Sequence, residues 1–441
     1  MSATQRAEVS RSSNLPGISH WGPGARIAFR FCFLYFGLYC LLTQIFWGLL
    51  PVPGETPDPA TLRPFRDVVI WTAQHVFAYK QPLIYRGSGR GDKVFDWVLV
   101  FCIFAVAVAG ACVWSAFDRR RTNYETLYKW FHLFLRFAVA GQLLTYGMIK
   151  VIPLQMPFPF LRELLERFGD FSPMGVLWFS VGASPAYERF VGSAELVAGL
   201  LLIVPITTML GALICLADMI EVFVLNMTYD VPVKQFSFHM ILMALFLLLP
   251  ARKRLMQFCF QECTVERPRP HQLFASAHAN RISFAAQVVF GLLLVAANLY
   301  QFSGDWHRFG GGAPKSPFYG IWDVDEMRID GVVRSPLLTD YRRWRRVIFE
   351  RPGSMAFERM DDSFGTFASV FDPKRGTLAL NQPDDKKWKG ELRALQQGHR
   401  LFLEGKLGQH TVRIEATDMG RSRFLLVSRG FHWIQDYPFN R

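Results

Sequence analysis

Seven long apolar segments lie between Ile27 and Tyr300, at residues 27–50, 94–117, 130–152, 190–204, 209–226, 236–249 and 282–302. Runs of about 18 or more mostly apolar residues cross the hydrocarbon core as helices, because there every backbone polar group must be bonded inside the segment. The pattern predicts a polytopic α-helical membrane bundle of about seven helices. The fourth and sixth segments are short by this rule, so they tilt little, lie against other protein, or extend beyond these bounds.

Lys and Arg beside helix ends are retained on the cytoplasmic side. Arg119, Arg120 and Arg121 follow the second segment, and Arg252, Lys253 and Arg254 follow the sixth. With seven helices, both clusters and the N-terminal residues 1–26 fall on the cytoplasmic face. The loop 51–93 and everything after the last helix are then exported, which in a bacterial inner membrane means periplasmic or extracellular. The loop is itself basic, but its charges are spread out, whereas the other clusters abut helix ends. An even helix count would reverse the assignment of the C-terminal part. The net charge of +13 fits helix flanks that meet anionic lipid headgroups. No nucleic-acid recognition motif accompanies it. The seven cysteines lie in or beside the helices and none falls in the C-terminal part, so neither a disulfide-stapled domain nor Cys-x-x-Cys redox chemistry is expected. The N-terminus lacks the layout of a cleaved secretory signal, so the first helix is expected to stay as an anchor.

At residues 303–317, SGDWHRFGGGAPKSP, consecutive glycines and two prolines mark a linker. From 318 to 441 short alternating runs such as HRLFLEGKLG and HTVRIEATD, separated by turn residues, predict roughly eight antiparallel strands. That is the pattern of an up-and-down, lipocalin-like β-barrel. Its aromatic residues either fill the barrel or line a ligand pocket in its mouth. His410 and His432 show no metal-ligand spacing.

Charged residues inside helices are the functional candidates, because they are costly in lipid. On the third segment His132, Arg136, Tyr146 and Lys150 recur at helical spacing; the fourth supplies Glu188 and Glu195, the fifth Asp218 and Glu221, and the sixth His239. Three readings stand side by side. The charges are pairs that fix helix register, with Lys150 beside a glutamate. Alternatively, Lys150 and Glu188 reach the headgroups. In the third, they line a proton-linked pocket for a quinone, with Lys150, Glu195, His132 and His239 exchanging protons and hydrogen-bonding its carbonyls. Electrons would come from a partner subunit, since no haem, flavin or iron–sulfur motif is visible. In the exported loop, which caps the bundle mouth, His75 is a further ligand-binding candidate near the glycines at 87, 89 and 91.

Residues 128–250 resemble the DoxX-like four-helix unit. The resemblance rests on Tyr146, Gly147, Met148, Ile149 and Lys150 followed by Pro153, and on Gly192 to Gly199 around Glu195. It implies a DoxX-like helical core with two helices before it, one after it and a β domain at the end. It also implies Asp92 as a ligand-binding candidate, since that family carries a similar Gly-Ser-Gly-Asp-like stretch in the exported loop. A more distant similarity, carried by Lys150, is to the membrane domain of vitamin K-dependent γ-carboxylases. That similarity implies an alternative in which Lys150 serves as base in a carboxylase-like reaction with reduced quinone. A non-enzymatic lipid-binding or scaffold protein with a membrane-anchored barrel is the third expectation.

Overall fold

The computed structural model describes residues 21–50, 58–85, 91–261, 272–382, 384–385 and 387–440. The expected cytoplasmic segment up to residue 20, and the turn through residues 87 and 89, lie outside them. The chain divides into two compact units, Met1–Met148 with Gly192–Gln301, and Ile149–Val191 with Phe302–Arg441.

The helices are α1 Pro23–Leu42, α2 Phe65–His75, α3 Val94–Phe117, α4 Glu125–Val151, α5 Pro173–Gly182, α6 Pro185–Ile203, α7 Thr208–Thr228, α8 Lys234–Leu248, α9 Arg252–Phe260 and α10 Ala277–Arg308, with one-turn pieces left unnumbered. Three of them, α1, α5 and α6, open on proline, whose fixed φ suits the first turn and whose missing N–H is no loss there. The α3 helix starts where the Lys93 N–H donates to the Asp96 carboxylate at 3.2 Å. Among the described residues, five spans are long and apolar enough to cross a membrane: Pro23–Leu42, Val94–Phe117, Pro205–Thr228, Lys234–Phe260 and Ala277–Arg308. The α4 and α6 helices are long enough at 27 and 19 residues. Their hydropathy is lowered by His132, Arg136, Gln142 and Lys150 in one and by Glu188, Arg189 and Glu195 in the other. The protein is thus a membrane-spanning helical bundle, and α4 and α6 carry several of its buried charges, Arg136, Lys150, Glu188 and Glu195. Three helices were not expected: α2 within the loop 51–93, the ten-residue apolar α5, and α9, which begins at the basic residues Arg252, Lys253 and Arg254. The last helix runs through the first residues of the expected linker and stops at Arg308, just before the glycine run.

Glycine decides how the helices of the first unit pack. A Cβ on Gly147 would lie 2.6 Å from the Leu196 nitrogen and 2.8 Å from the Gly192 oxygen, so α4 and α6 touch backbone to backbone. This gives the Gly-x-x-Lys element a physical reason. One Cβ at that crossing would push the two helices apart.

Nine strands follow: β1 Gly320–Ile329, β2 Val332–Val333, β3 Trp344–Phe349, β4 Ser354–Arg359, β5 Phe364–Asp372, β6 Thr377–Asn381, β7 Lys389–Gln397, β8 Arg400–Leu407 and β9 His410–Asp418. Strands β3 to β9 pair in sequence, all antiparallel, and β1 pairs with both β3 and β9, closing an eight-stranded barrel; the two-residue β2 hangs on β1. Alternation does the sorting, as in β7, where Gly390, Leu392 and Ala394 point inward and their neighbours outward. The interior is filled with side chains, including Trp322, Met327, Val347, Met355, Leu392, Leu403 and Ile414. Trp344, Phe357, Phe367 and Trp388 form a row of stacked rings with centroids 4.4, 5.1 and 4.8 Å apart.

In this second unit the segment between α4 and α6 lies along the outside of the barrel. Leu161 is fully buried against Ile321 and Ile348. Its backbone N–H donates to Glu350 at 3.0 Å. Three cation–aromatic contacts fasten the same segment: Arg162 on Phe364, Arg351 on Phe160 and Arg421 on Phe158. Desolvation against this segment raises the Glu350 carboxyl from its usual 4.5 to about 7, despite the Leu161 hydrogen bond that favours the charged form.

Candidate functional site

The polar residues of α4 fall at different depths. His132 lies near its start, with Nε2 3.2 Å from the Leu247 carbonyl of α8. Arg136 is buried one turn on. Its guanidinium donates to the Gln287 carbonyl oxygen on α10 and stands 3.5 Å from the Thr208 hydroxyl on α7. Tyr146 is ten residues further, about 15 Å along the axis at 1.5 Å per residue. There the Gln44 amide donates to the Tyr146 hydroxyl at 3.2 Å and to the Gln142 carbonyl oxygen at 3.4 Å.

The α4–α6 backbone contact at Gly147 and Gly192 sets Glu195 in the bundle interior, where it is buried. Across from it, Gly211 brings α7 onto α6, its Cβ position 2.9 Å from the Ala198 oxygen. The fully buried Cys215 thiol on α7 lies within electrostatic reach of both Asp218 and Glu195. Asp218 on α7 and Glu195 on α6 thus both act electrostatically on the same buried thiol. Glu221, one turn beyond Asp218, is exposed.

Lys150 belongs to the other unit, where it is buried and acts electrostatically on Glu188, itself fully buried and accepting the Met156 N–H at 2.9 Å. Its neighbour within its own unit is thus Glu188.

His239 is held on all sides. Its ring stacks on Tyr39 at 3.9 Å and 8°, Nδ1 is 2.7 Å from the Gln235 carbonyl, and Nε2 is 2.8 Å from the Tyr35 hydroxyl. A carbonyl can only accept, so Nδ1 carries a proton and Nε2 of the neutral ring accepts from Tyr35. Asp92 serves the same helix: its two carboxylate oxygens accept the N–H groups of Lys234 and Gln235 at 2.9 and 3.0 Å, capping α8 one turn before His239. His75 is exposed on α2, stacked on Trp71 with Nδ1 2.9 Å from the Trp71 carbonyl.

The structure places Glu195 and Asp218 within electrostatic reach of the same thiol, His132 and Arg136 one turn apart on α4, and His239 and His75 on other helices. Sequence reasoning passed over Tyr35, Tyr39, Gln44, Gln142, Thr208 and Gln287. All are uncharged residues on helices or, for Gln44, in the turn after α1, a signal weaker than a charge. Among the described residues no group of three or more His, Cys, Asp or Glu is placed to hold a metal ion.

Helices that cross a bilayer, joined to a closed antiparallel barrel, define a multi-pass membrane protein with a β-barrel domain. The chain is similar to the uncharacterized protein YwoB of Bacillus subtilis strain 168, with 29% identity over 141 residues, 30% of this chain and 81% of that protein. No protein-family model and no solved structure matches the chain.

Proposed function

We propose that the helical unit binds a lipophilic small molecule, a quinone, in a proton-linked redox role. The observation that carries this reading is the fully buried Glu195 on α6, which together with Asp218 of the neighbouring α7 acts on the buried Cys215 thiol. Reducing a quinone takes two electrons and two protons, and acids inside apolar helices serve to hold and release protons at a ring. The Tyr146, Gln44 and Gln142 network on the same unit supplies hydrogen-bonding groups for carbonyl oxygens. Electrons come from a redox partner subunit at the membrane. The filled barrel interior speaks against a role for the barrel as the ligand container. In this reading the protein sits in a bacterial inner membrane with its N-terminus cytoplasmic and its barrel outside, and a reporter fused after Arg441 is active only outside the cytoplasm.

The test is the full chain purified in detergent, with co-extracted quinone measured by mass spectrometry for the native protein, Glu195→Gln and Asp218→Asn. The native protein should retain quinone, and both folded variants should lose proton uptake on reduction of the added ring. A native protein that neither carries quinone nor is stabilised by adding one would end the proposal.

A further inference from the structure

Within the helical unit, α4, α10 and Phe274 just before α10 flank an open cleft of about 500 Å³ lined by Trp130, Leu133, Phe137, Ile282 and Phe290. Its wall also carries Ser283, Ala286 and Gln287, and among the described residues no carboxylate lines it. Behind Gln287 lies Arg136. Its hydrogen-bonding partners, Gln287 and Thr208, are neutral; its Nε–H, buried, has no acceptor among the described residues. Arg136 also sits over Phe137, 5.3 Å from the ring centroid, so the charge lies directly against the cleft wall. The Gln287 amide is turned so that its oxygen meets Arg136 and its nitrogen donates to Ser283 at 3.0 Å. This arrangement leaves the Ser283 hydroxyl hydrogen for another acceptor.

A buried guanidinium is costly unless paired. Here the apolar walls invite a hydrocarbon chain, and the charge behind them invites an anion. Lys129 and Arg281, one residue before the lining Trp130 and Ile282, add positive charge at the same end of both helices. We propose that this cleft is a binding site for an anionic phospholipid of the surrounding bilayer, its acyl chain along the aromatic wall and its phosphate drawn to Arg136 and the Ser283 hydroxyl. The site lies roughly 15 Å along α4 from Tyr146 and does not rest on the quinone reading.

The test uses the full chain in neutral detergent, with thermal stability followed as phosphatidylglycerol or phosphatidylcholine of identical chains is added. Phosphatidylglycerol should raise the melting temperature well beyond phosphatidylcholine, and Arg136→Gln should abolish that difference while Arg136→Lys keeps part of it. Ala286→Phe, which fills the cleft and leaves Arg136 in place, should abolish it too, which covers the case of an unstable Arg136→Gln. Glu195→Gln should leave the difference intact whatever it does to quinone, so the two proposals fail separately. Equal shifts from both lipids would overturn the site. So would an effect given by free oleate and not by phosphatidylglycerol, or a quinone-dependent shift lost in Arg136→Gln.

Discussion

The barrel and the helical unit treat polar groups in opposite ways. In the barrel the interior is hydrocarbon and aromatic ring, and the charges stand at the wall in short pairs, as where Arg346 bridges Asp323 at 2.8 Å and Glu358 at 2.7 Å. In the helical unit His132, Arg136, Gln142, Glu195, Asn226 and His239 are all buried. A chain that could have filled both interiors with Leu and Phe did so in one. The proposed chemistry accordingly lies in the helices, where the buried polar groups are.

The largest effect expected from that contrast is on the barrel core. Trp344→Ala removes one ring of the stacked row and should destabilise the barrel by about 3–5 kcal/mol, seen as early loss of its fluorescence transition, with lipid and quinone content of the intact protein unchanged. Ligand loss in that variant would break the division of labour. In the helices, Gly147→Ala forces a Cβ into the α4–α6 contact and should cost about 1–3 kcal/mol in thermal unfolding, together with loss of ligand, since it shifts Glu195. A neutral Gly147→Ala would show that the crossing is looser than its geometry. Asp92→Ala uncaps α8 and should cost about 1–2 kcal/mol, while sparing quinone retention; if retention falls with stability unchanged, Asp92 touches the ligand. The smallest effect concerns Glu350, whose carboxyl is raised from 4.5 to about 7. Below pH 4.5 it is protonated in both folded and unfolded chains; above that the unfolded chain ionises first, so docking of the 152–184 segment on the barrel weakens as pH rises to about 7 and then levels off. Thermal melts across this window should show that slope in the native protein and a flatter one in Glu350→Gln. An identical slope in the variant would assign the pH dependence elsewhere.

Much of the architecture was legible in the chain. Period-two runs exposed the strands because one face of each is buried, and uninterrupted apolar runs exposed α3, α7 and α10. Helices α2 and α5 escaped because each is short and lies between turn residues. The last helix ends just before the glycines from 310 to 312, but Ser303 to Arg308 are helical, since a single glycine at 304 weakens a helix without ending it. For the site, charge was the readable signal and connectivity was not. His239 and Asp92 look alike as candidates in sequence; only the structure shows one held in an aromatic stack and the other capping the helix that carries it. Gln287 and Thr208 gave no signal at all, because an uncharged side chain on an apolar helix becomes informative only when its neighbour is known.

The closure of β1 on β9, from Trp322 opposite Asp418 to Ile329 opposite Val412, has a consequence for how the protein is made. These are the first and last strands of the ring, so a growing chain holds two open sheet edges until β9 has been synthesised. Long-range pairing of this kind is slow, and open edges invite pairing with other chains. A chain truncated before His410 should therefore aggregate through its barrel while its helices insert, and chaperones on the barrel's side of the membrane should matter most during the final stage of synthesis.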